Sequence, residues 1–304
     1  MKTLNKNFSI RICLFSILSI GFGFQGIESE SVHATPSRGR KTDDTIRVVP
    51  NIAFCPRGNQ KLILDYAVPY NFSGSLKPVI LVHGGAWVAG NKTHHHQDMR
   101  IIAENGGFAA SINYRLANGK MTYIQQLEDI DCAINWLQEN ANQLNIDARE
   151  ITLGGQSAGG HLALLSAIRN QDVVKTVVSL AGPTDLFSWH GVCNSQSKRT
   201  KGCHLFEKVM DYTIGKQWRE HDDQLEVASP ITFVSQIGAD QKFILAHGTS
   251  DSLVPTWQSQ KFCKRAQAWG KTCELILLPG VNHLIASVKS RRSIWKRALG
   301  KSEL

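Results

Sequence analysis

Ile151-Thr-Leu-Gly154-Gly155-Gln156-Ser157-Ala158-Gly159-Gly160 passes from a short apolar strand into a helix with almost no connection. The strand is predicted over Glu150–Leu153 and the helix over Ala158–Arg169. Between them stands the pattern Gly-x-Ser-x-Gly. Glycines two residues before and after a serine allow a turn so tight that side chains at those positions would collide with the adjoining strand and helix. Such a turn thrusts out the serine oxygen and sets it at a helix N-terminus, where partial positive charge favours a developing anion. Ser157 is therefore a candidate nucleophile. A bare match to the pattern says little; its position between a strand and a helix gives it weight.

Outward from this turn the alternation repeats. Ile46–Cys55 and Lys61–Tyr70 are predicted as antiparallel strands joined through Pro56-Arg57-Gly58-Asn59. Pro78–His83 is a continuous apolar run, the pattern of a strand buried on both faces. A helix is predicted over Gln97–Asn105, a strand over Phe108–Tyr114, and an amphipathic helix over Tyr123–Gln143. Strands at Val173–Leu180, Phe243–His247 and Glu274–Leu278 alternate with helices at Thr256–Trp269 and Ile285–Leu299. This rhythm implies an α/β domain over 46–304, with a mostly parallel central sheet flanked by helices. Residues 184–230 break it and read as a small insertion over the active edge.

Parallel sheets bind ligands at the carboxyl ends of their strands, so the chemistry is sought there. A serine hydroxyl needs a base. His283 follows the last strand, and Asp251 follows the strand before it. The chain order Ser157, Asp251, His283 suits a nucleophile, an orienting acid and a general base on this architecture. His161, one helical turn past the serine, is the rival base; it reads as a packed or capping histidine. Asp185 is the rival acid. After another central strand comes His83-Gly84-Gly85-Ala86-Trp87. Its glycines let the backbone approach a carbonyl, so that Gly84 and Gly85, with Ala158, supply N–H groups to an oxyanion. Trp87, and Trp189 in an insertion that also holds Phe187 and Trp218, are the candidate substrate contacts.

The chain has 304 residues, with 34 Lys+Arg against 25 Asp+Glu and 42% hydrophobic residues, which excludes a wholly disordered chain. The basic excess is scattered apart from Lys198-Arg199-x-Lys201 and Lys289-x-Arg291-Arg292, with no interleaved aromatic motif. A solvated basic surface is preferred to nucleic-acid binding. The closing helix likewise reads as a surface helix with one buried stripe, in preference to a membrane-touching one. His94-His95-His96 reads as a solvated helix start, because adjacent histidines rarely converge on one metal ion. No metal or organic cofactor is expected.

Residues 1–34 have a basic start, an uncharged apolar run over 12–27 and a Val32-His-Ala34 end. This is the layout of a secretory signal peptide cleaved after Ala34, with 35–45 a loose lead-in; an uncleaved membrane anchor is the alternative. Export and cleavage leave Cys55, Cys132, Cys193, Cys203, Cys263 and Cys273. An even count in an exported chain favours disulfides. Cys193–Cys203 and Cys263–Cys273 close short local loops, and Cys55–Cys132 follows by elimination.

From Lys61 to Ser287 the chain resembles the α/β-hydrolase family, and within it the carboxylesterase-like group that includes hormone-sensitive-lipase-like and bacterial feruloyl-esterase-like proteins. The resemblance rests on His83-Gly-Gly-Ala-Trp87, Ile112-Asn-Tyr-Arg-Leu116, Gly154-Gly-Gln-Ser-Ala-Gly-Gly-His161, Gly182-Pro-Thr-Asp-Leu186, Ala228-Ser-Pro-Ile-Thr232, His247-Gly-Thr-Ser-Asp251 and Pro279-Gly-Val-Asn-His283. It implies a serine hydrolase acting on small-molecule carboxylic esters through Ser157, His283 and Asp251. An amidase, formamidase or peptidase of the same fold is the alternative, ahead of a non-catalytic binding protein. One departure stands out: many relatives carry a third glycine where this chain has Ala86.

Overall fold

The computed structural model describes residues 45–302, apart from 59, 196–199 and 222. The expected leader over 1–34 lies outside the described residues, as do nearly all of the lead-in and Lys198 and Arg199 of the basic cluster. Eight strands, β1 (Ile46–Arg57), β2 (Gln60–Pro69), β3 (Lys77–Val82), β4 (Gly107–Ile112), β5 (Ile151–Gln156), β6 (Val174–Leu180), β7 (Lys242–Gly248) and β8 (Thr272–Leu278), form one sheet. Its order is β1-β2-β4-β3-β5-β6-β7-β8. The pairings of β1 with β2 and of β2 with β4 are antiparallel, and the rest are parallel. The helices are α1 (His96–Glu104), α2 (Tyr123–Glu139), α3 (Ala141–Leu144), α4 (Ala158–Arg169), α5 (Leu186–Ser195), α6 (Lys201–Thr213), α7 (Asp223–Val227), α8 (Trp257–Ala268) and α9 (Val288–Ala298).

The apolar run of β3 is explained by what covers it. Val79 and Leu81 belong to a core with Met99 and Ile102 of α1 and Ile294 and Trp295 of α9. Ile80 and Val82 belong to the opposite core with Ile130 and Ile134 of α2, Leu162 of α4 and Phe262 of α8. A strand packed on both faces has no solvent side on which to place polar residues.

Three boundaries differ from the sequence expectation by three residues or more. The fifth strand runs on to Gln156, so Gly154 and Gly155 pair within the sheet instead of in the turn. The long helix expected over Tyr123–Gln143 is interrupted at Asn140, whose side-chain amide donates to the Trp136 carbonyl at 2.8 Å. That local bond competes with the helical ladder. The closing helix begins at Val288, where Ser287 accepts from the Ser290 N–H, and not at Ile285.

The insertion holds α5, α6 and α7. Disulfides join Cys55 of β1 to Cys132 of α2, Cys193 of α5 to Cys203 of α6, and Cys263 of α8 to Cys273 of β8. The first closes 77 residues of chain and so removes the most freedom from the unfolded state. Among the described residues no helix is long and apolar enough to cross a membrane.

Candidate active site

The turn after β5 forces Ser157 to φ 56°, ψ −123°, a conformation that side chains rarely adopt. Its N–H donates to the Leu180 carbonyl at 2.8 Å, extending the pairing with β6 up to the turn. A Cβ at Gly155 would strike the Gly159 backbone, and one at Gly159 would strike the Val82 carbonyl. Both glycines of the pattern are thus required by close approach. Ala158 opens α4, placing its N–H at the helix start beside the serine.

The loop after β3 lies against this turn. A Cβ built on Gly84 would sit 2.8 Å from the Gln156 carbonyl and 3.3 Å from the Ser157 Cβ. Gly85 takes φ 124°, while Ala86 and Trp87 follow at φ 51° and 62°. Two consecutive non-glycine residues in the left-handed region are a local strain of about 1–2 kcal/mol each. Closure of the turn by Val88 and Ala89, which both donate to the Gly85 carbonyl, holds it in place. Ala86 and Trp87 carry that strain where a glycine would not.

Asp251 and His283 come from adjacent loops because β7 and β8 are parallel neighbours. Asp251 Oδ2 lies 2.7 Å from His283 Nδ1 and 3.1 Å from His247 Nε2. Its other oxygen accepts the N–H groups of Leu253 at 2.9 Å and Val254 at 3.0 Å. Burial alone would raise the carboxyl; the two imidazoles and the Leu253 N–H outweigh it and hold Asp251 well below the usual carboxylate range. Behind it, His247 Nε2 also faces the Val254 carbonyl at 3.0 Å, and Nδ1 faces the Ser259 hydroxyl at 2.8 Å. A carbonyl only accepts, so Nε2 carries the proton and Ser259 donates to Nδ1. His283 is fixed through its backbone too: its N–H donates to Asn282 Oδ1 at 2.8 Å, and its carbonyl accepts Gln156 Nε2 at 3.2 Å.

Ser157 and His283 line one cavity of about 610 Å³ with Gly84, Gly85, Ala86, Gln156 and Arg291. Leu205 of the insertion, Leu253, Leu284 and Ala286 make its apolar side; His94, His95 and Gln97 make a polar one. Asp185 is not brought to His283. It pairs with Lys261 at 2.5 Å and accepts the Ser188 N–H at 2.9 Å, capping α5. His161 is fully buried, taking the Trp87 indole N–H on Nδ1 at 3.2 Å and facing the Ala228 carbonyl with Nε2 at 2.7 Å. Burial pushes it down to about 4, so it is neutral and has no nitrogen left for a serine.

Trp87 and Trp189, expected against substrate, are placed elsewhere. Trp87 is 4% exposed and spends its indole on His161; Trp189 is 3% exposed and packs on Phe206 at 5.1 Å. Neither lines the cavity that holds Ser157. Aromatic residues near a predicted site are signals of burial at least as much as of binding, because a large ring gains most by leaving water. The solvated histidine run also needs correction. His95 is buried between Asp98 Oδ2 at 2.7 Å and the Val82 carbonyl at 3.0 Å, and His96 pairs with the buried Asp65. Among the described residues no cluster of three His, Cys, Asp or Glu side chains is arranged to hold a metal.

Three residues escaped the sequence reading. Gln156 and His247 lie inside motifs, next to residues that draw attention. Arg291 was hidden in a basic helix; its side chain is 10% exposed and points inward to Asp98. No spacing signal marks it, since one arginine of a basic run looks like the next.

A sheet in this order, with a serine on the sharp turn after its fifth strand and a histidine after its eighth, has the α/β-hydrolase fold. The chain belongs to the BD-FAE family, whose model matches residues 64–265. It is similar to the protein named esterase LipQ of Mycobacterium tuberculosis, 28% identical over 79% of this chain and 59% of that one. It is also similar to a probable isoprenylcysteine alpha-carbonyl methylesterase of Oryza sativa subsp. japonica, 28% identical over 72% of this chain and 53% of that one. The chain thus spans little more than half the length of these relatives. Among solved structures, a truncated carbohydrate esterase from gut microbiota superposes with a TM-score of 0.69 at 23% identity, covering 86% of this chain and 99% of that one. A bifunctional GH43-CE protein of Bacteroides eggerthii does so with a TM-score of 0.68 at 28% identity, covering 86% and 36%.

Proposed function

We propose that the chain is an exported serine hydrolase of carboxylic esters, acting through Ser157, His283 and Asp251. The observation that carries this reading is the 2.7 Å contact of Asp251 Oδ2 with His283 Nδ1, in a cavity that His283 shares with Ser157. The names of the relatives, esterases and a methylesterase, support the reaction class. Three disulfides support an oxidising compartment.

Ser157 attacks the carbonyl carbon of the ester as its proton passes to His283 Nε2. Asp251 holds the imidazole by Nδ1 and stabilises the imidazolium. The N–H groups of Gly84, Gly85 and Ala158 receive the oxyanion; one such donor is worth about 10²–10³ in rate. Collapse expels the alcohol with the proton from His283. Water then attacks the acyl-enzyme by the same route, freeing the acid and Ser157. The apolar wall of Leu205, Leu253, Leu284 and Ala286 suits a short acyl or aryl group.

The test is hydrolysis of p-nitrophenyl acetate and butyrate by the chain produced in an oxidising compartment. Wild type turns over, and Ser157→Ala loses on the order of 10⁶ in kcat. A fluorophosphonate labels wild type but not S157A. Turnover persisting in a clean S157A preparation overturns the proposal.

A further inference from the structure

Arg291 is out of character for its helix. It sits in α9 among exposed or half-buried basic residues, yet its guanidinium is held in the interior by three acceptors. Nη1 donates to Asp98 Oδ2 at 2.5 Å, Nη2 to Gln156 Oε1 at 2.6 Å, and Nε to the Ile285 carbonyl. Charge neutrality needs only Asp98. The other two donors act on the segment that carries His283: Ile285 lies two residues beyond it, and Gln156 donates to the His283 carbonyl itself at 3.2 Å. Gln156 in turn is the residue immediately before Ser157.

The anchor of this fork is also tied to the site. Asp98 accepts Trp295 Nε1 at 2.8 Å and faces His95 Nδ1 at 2.7 Å, and His95 reaches the Val82 carbonyl at 3.0 Å. Val82 ends β3, directly before His83-Gly84-Gly85. One buried charge pair therefore joins the strand that carries the oxyanion loop, the strand that carries the serine, and the loop that carries the histidine. Asp251 fixes the ring of His283; nothing about that contact fixes where the backbone bearing the ring stands relative to Ser157.

We propose that Arg291 is a positioning residue which, through Gln156 and the Ile285 carbonyl, sets the reach of His283 to Ser157. A planar guanidinium serves three acceptors at fixed angles, which a lysine ammonium does not match. The role rests on the hydrolase reading above and extends it to a residue that touches no reacting atom.

The experiment uses the full chain with p-nitrophenyl acetate, comparing Arg291→Lys, Gln156→Leu, the double variant and Trp295→Phe. Displacing a reacting group by about 1 Å costs about 10²-fold, so R291K and Q156L each lower kcat by roughly 10- to 100-fold while KM stays near wild type. Because both act through one bridge, the double variant is no slower than the slower single. W295F leaves the Arg291–Gln156–His283 bridge in place and removes only a donor to Asp98, so it lowers Tm with a smaller loss of kcat than R291K or Q156L. Q156L keeps the Asp98–Arg291 pair intact, so it decides the matter should R291K not fold. Wild-type kcat in folded R291K or Q156L, or losses that multiply in the double variant, overturn the proposal while leaving the hydrolase reading untouched. Absence of ester turnover in wild type overturns both.

Discussion

His247 Nε2 lies 3.1 Å from Asp251 Oδ2, the same oxygen that takes His283 Nδ1 at 2.7 Å. Two imidazoles from neighbouring strands and loops therefore donate to one carboxylate oxygen. His247 draws part of the carboxylate's negative charge away from His283, and Ser259 keeps it in the tautomer that does so. Removing it, as in His247→Asn, concentrates that charge on the remaining bond. The acidic limb of the kcat/KM profile is expected to move to higher pH, with a rate loss of about tenfold from looser aim. A pH–rate profile of H247N for p-nitrophenyl acetate checks this; a limb that stays put contradicts it.

Asp251 and Asp185 separate cleanly as partners. Asp251→Asn removes the acceptor from His283 Nδ1 and is expected to cost about 10⁴ in kcat. Asp185→Asn weakens a contact with Lys261 and the cap of α5, so it lowers Tm with kcat near wild type. Kinetics and thermal melts of the two variants side by side are the measurement. The reverse ranking moves the orienting acid to Asp185.

Much of this was legible beforehand, and the residues show why. Ser157, Asp251 and His283 follow strand ends, where apolar runs stop and glycines begin, so the pattern singled out these positions. The buried sheet strands were visible because two-sided burial writes itself as an unbroken apolar run. His95, Arg291 and Gln156 were not visible, because a buried polar network has no period; its members come from α1, α9 and β5 and meet only in the fold. The tryptophans show the opposite case: Trp87 and Trp189 have the sequence look of a binding surface and are buried in the core.

Acid is expected to destabilise the protein well above the usual carboxylate range. Burial pushes His161 down to about 4, against the pull of the Ala228 carbonyl. Burial, with the charges of His95 and His94, does the same to His83. In the unfolded chain both return to 6.5. Between 6.5 and about 4 the unfolded state binds more protons, so each histidine withdraws up to about 1.4 kcal/mol per pH unit as pH falls. Asp251, whose folded carboxyl is held low, contributes stability above its unfolded value near 3.8 and loses it further down, in the same sense. Urea midpoints at pH 7.5, 6 and 5 should fall in order, and less steeply in His161→Gln. A flat series contradicts the assignment.

Ala86 offers a gain-of-stability test. At φ 51° it bears a strain that glycine does not, while glycine adds entropy to the unfolded chain. The difference favours Ala86→Gly by about 1 kcal/mol or less. Ala86 also lines the cavity, so loss of its methyl should extend the range of acyl lengths accepted. Thermal melts and a chain-length series of p-nitrophenyl esters check both; a lower Tm refutes the first.

Leu205 projects into the cavity two residues beyond Cys203, and Cys203 is bonded to Cys193 of the preceding helix. The outer jamb of the doorway is thus riveted to its own frame. On the proposed reading, reducing the Cys193–Cys203 bond is expected to change which esters are accepted past Leu205 before it changes the reaction at Ser157.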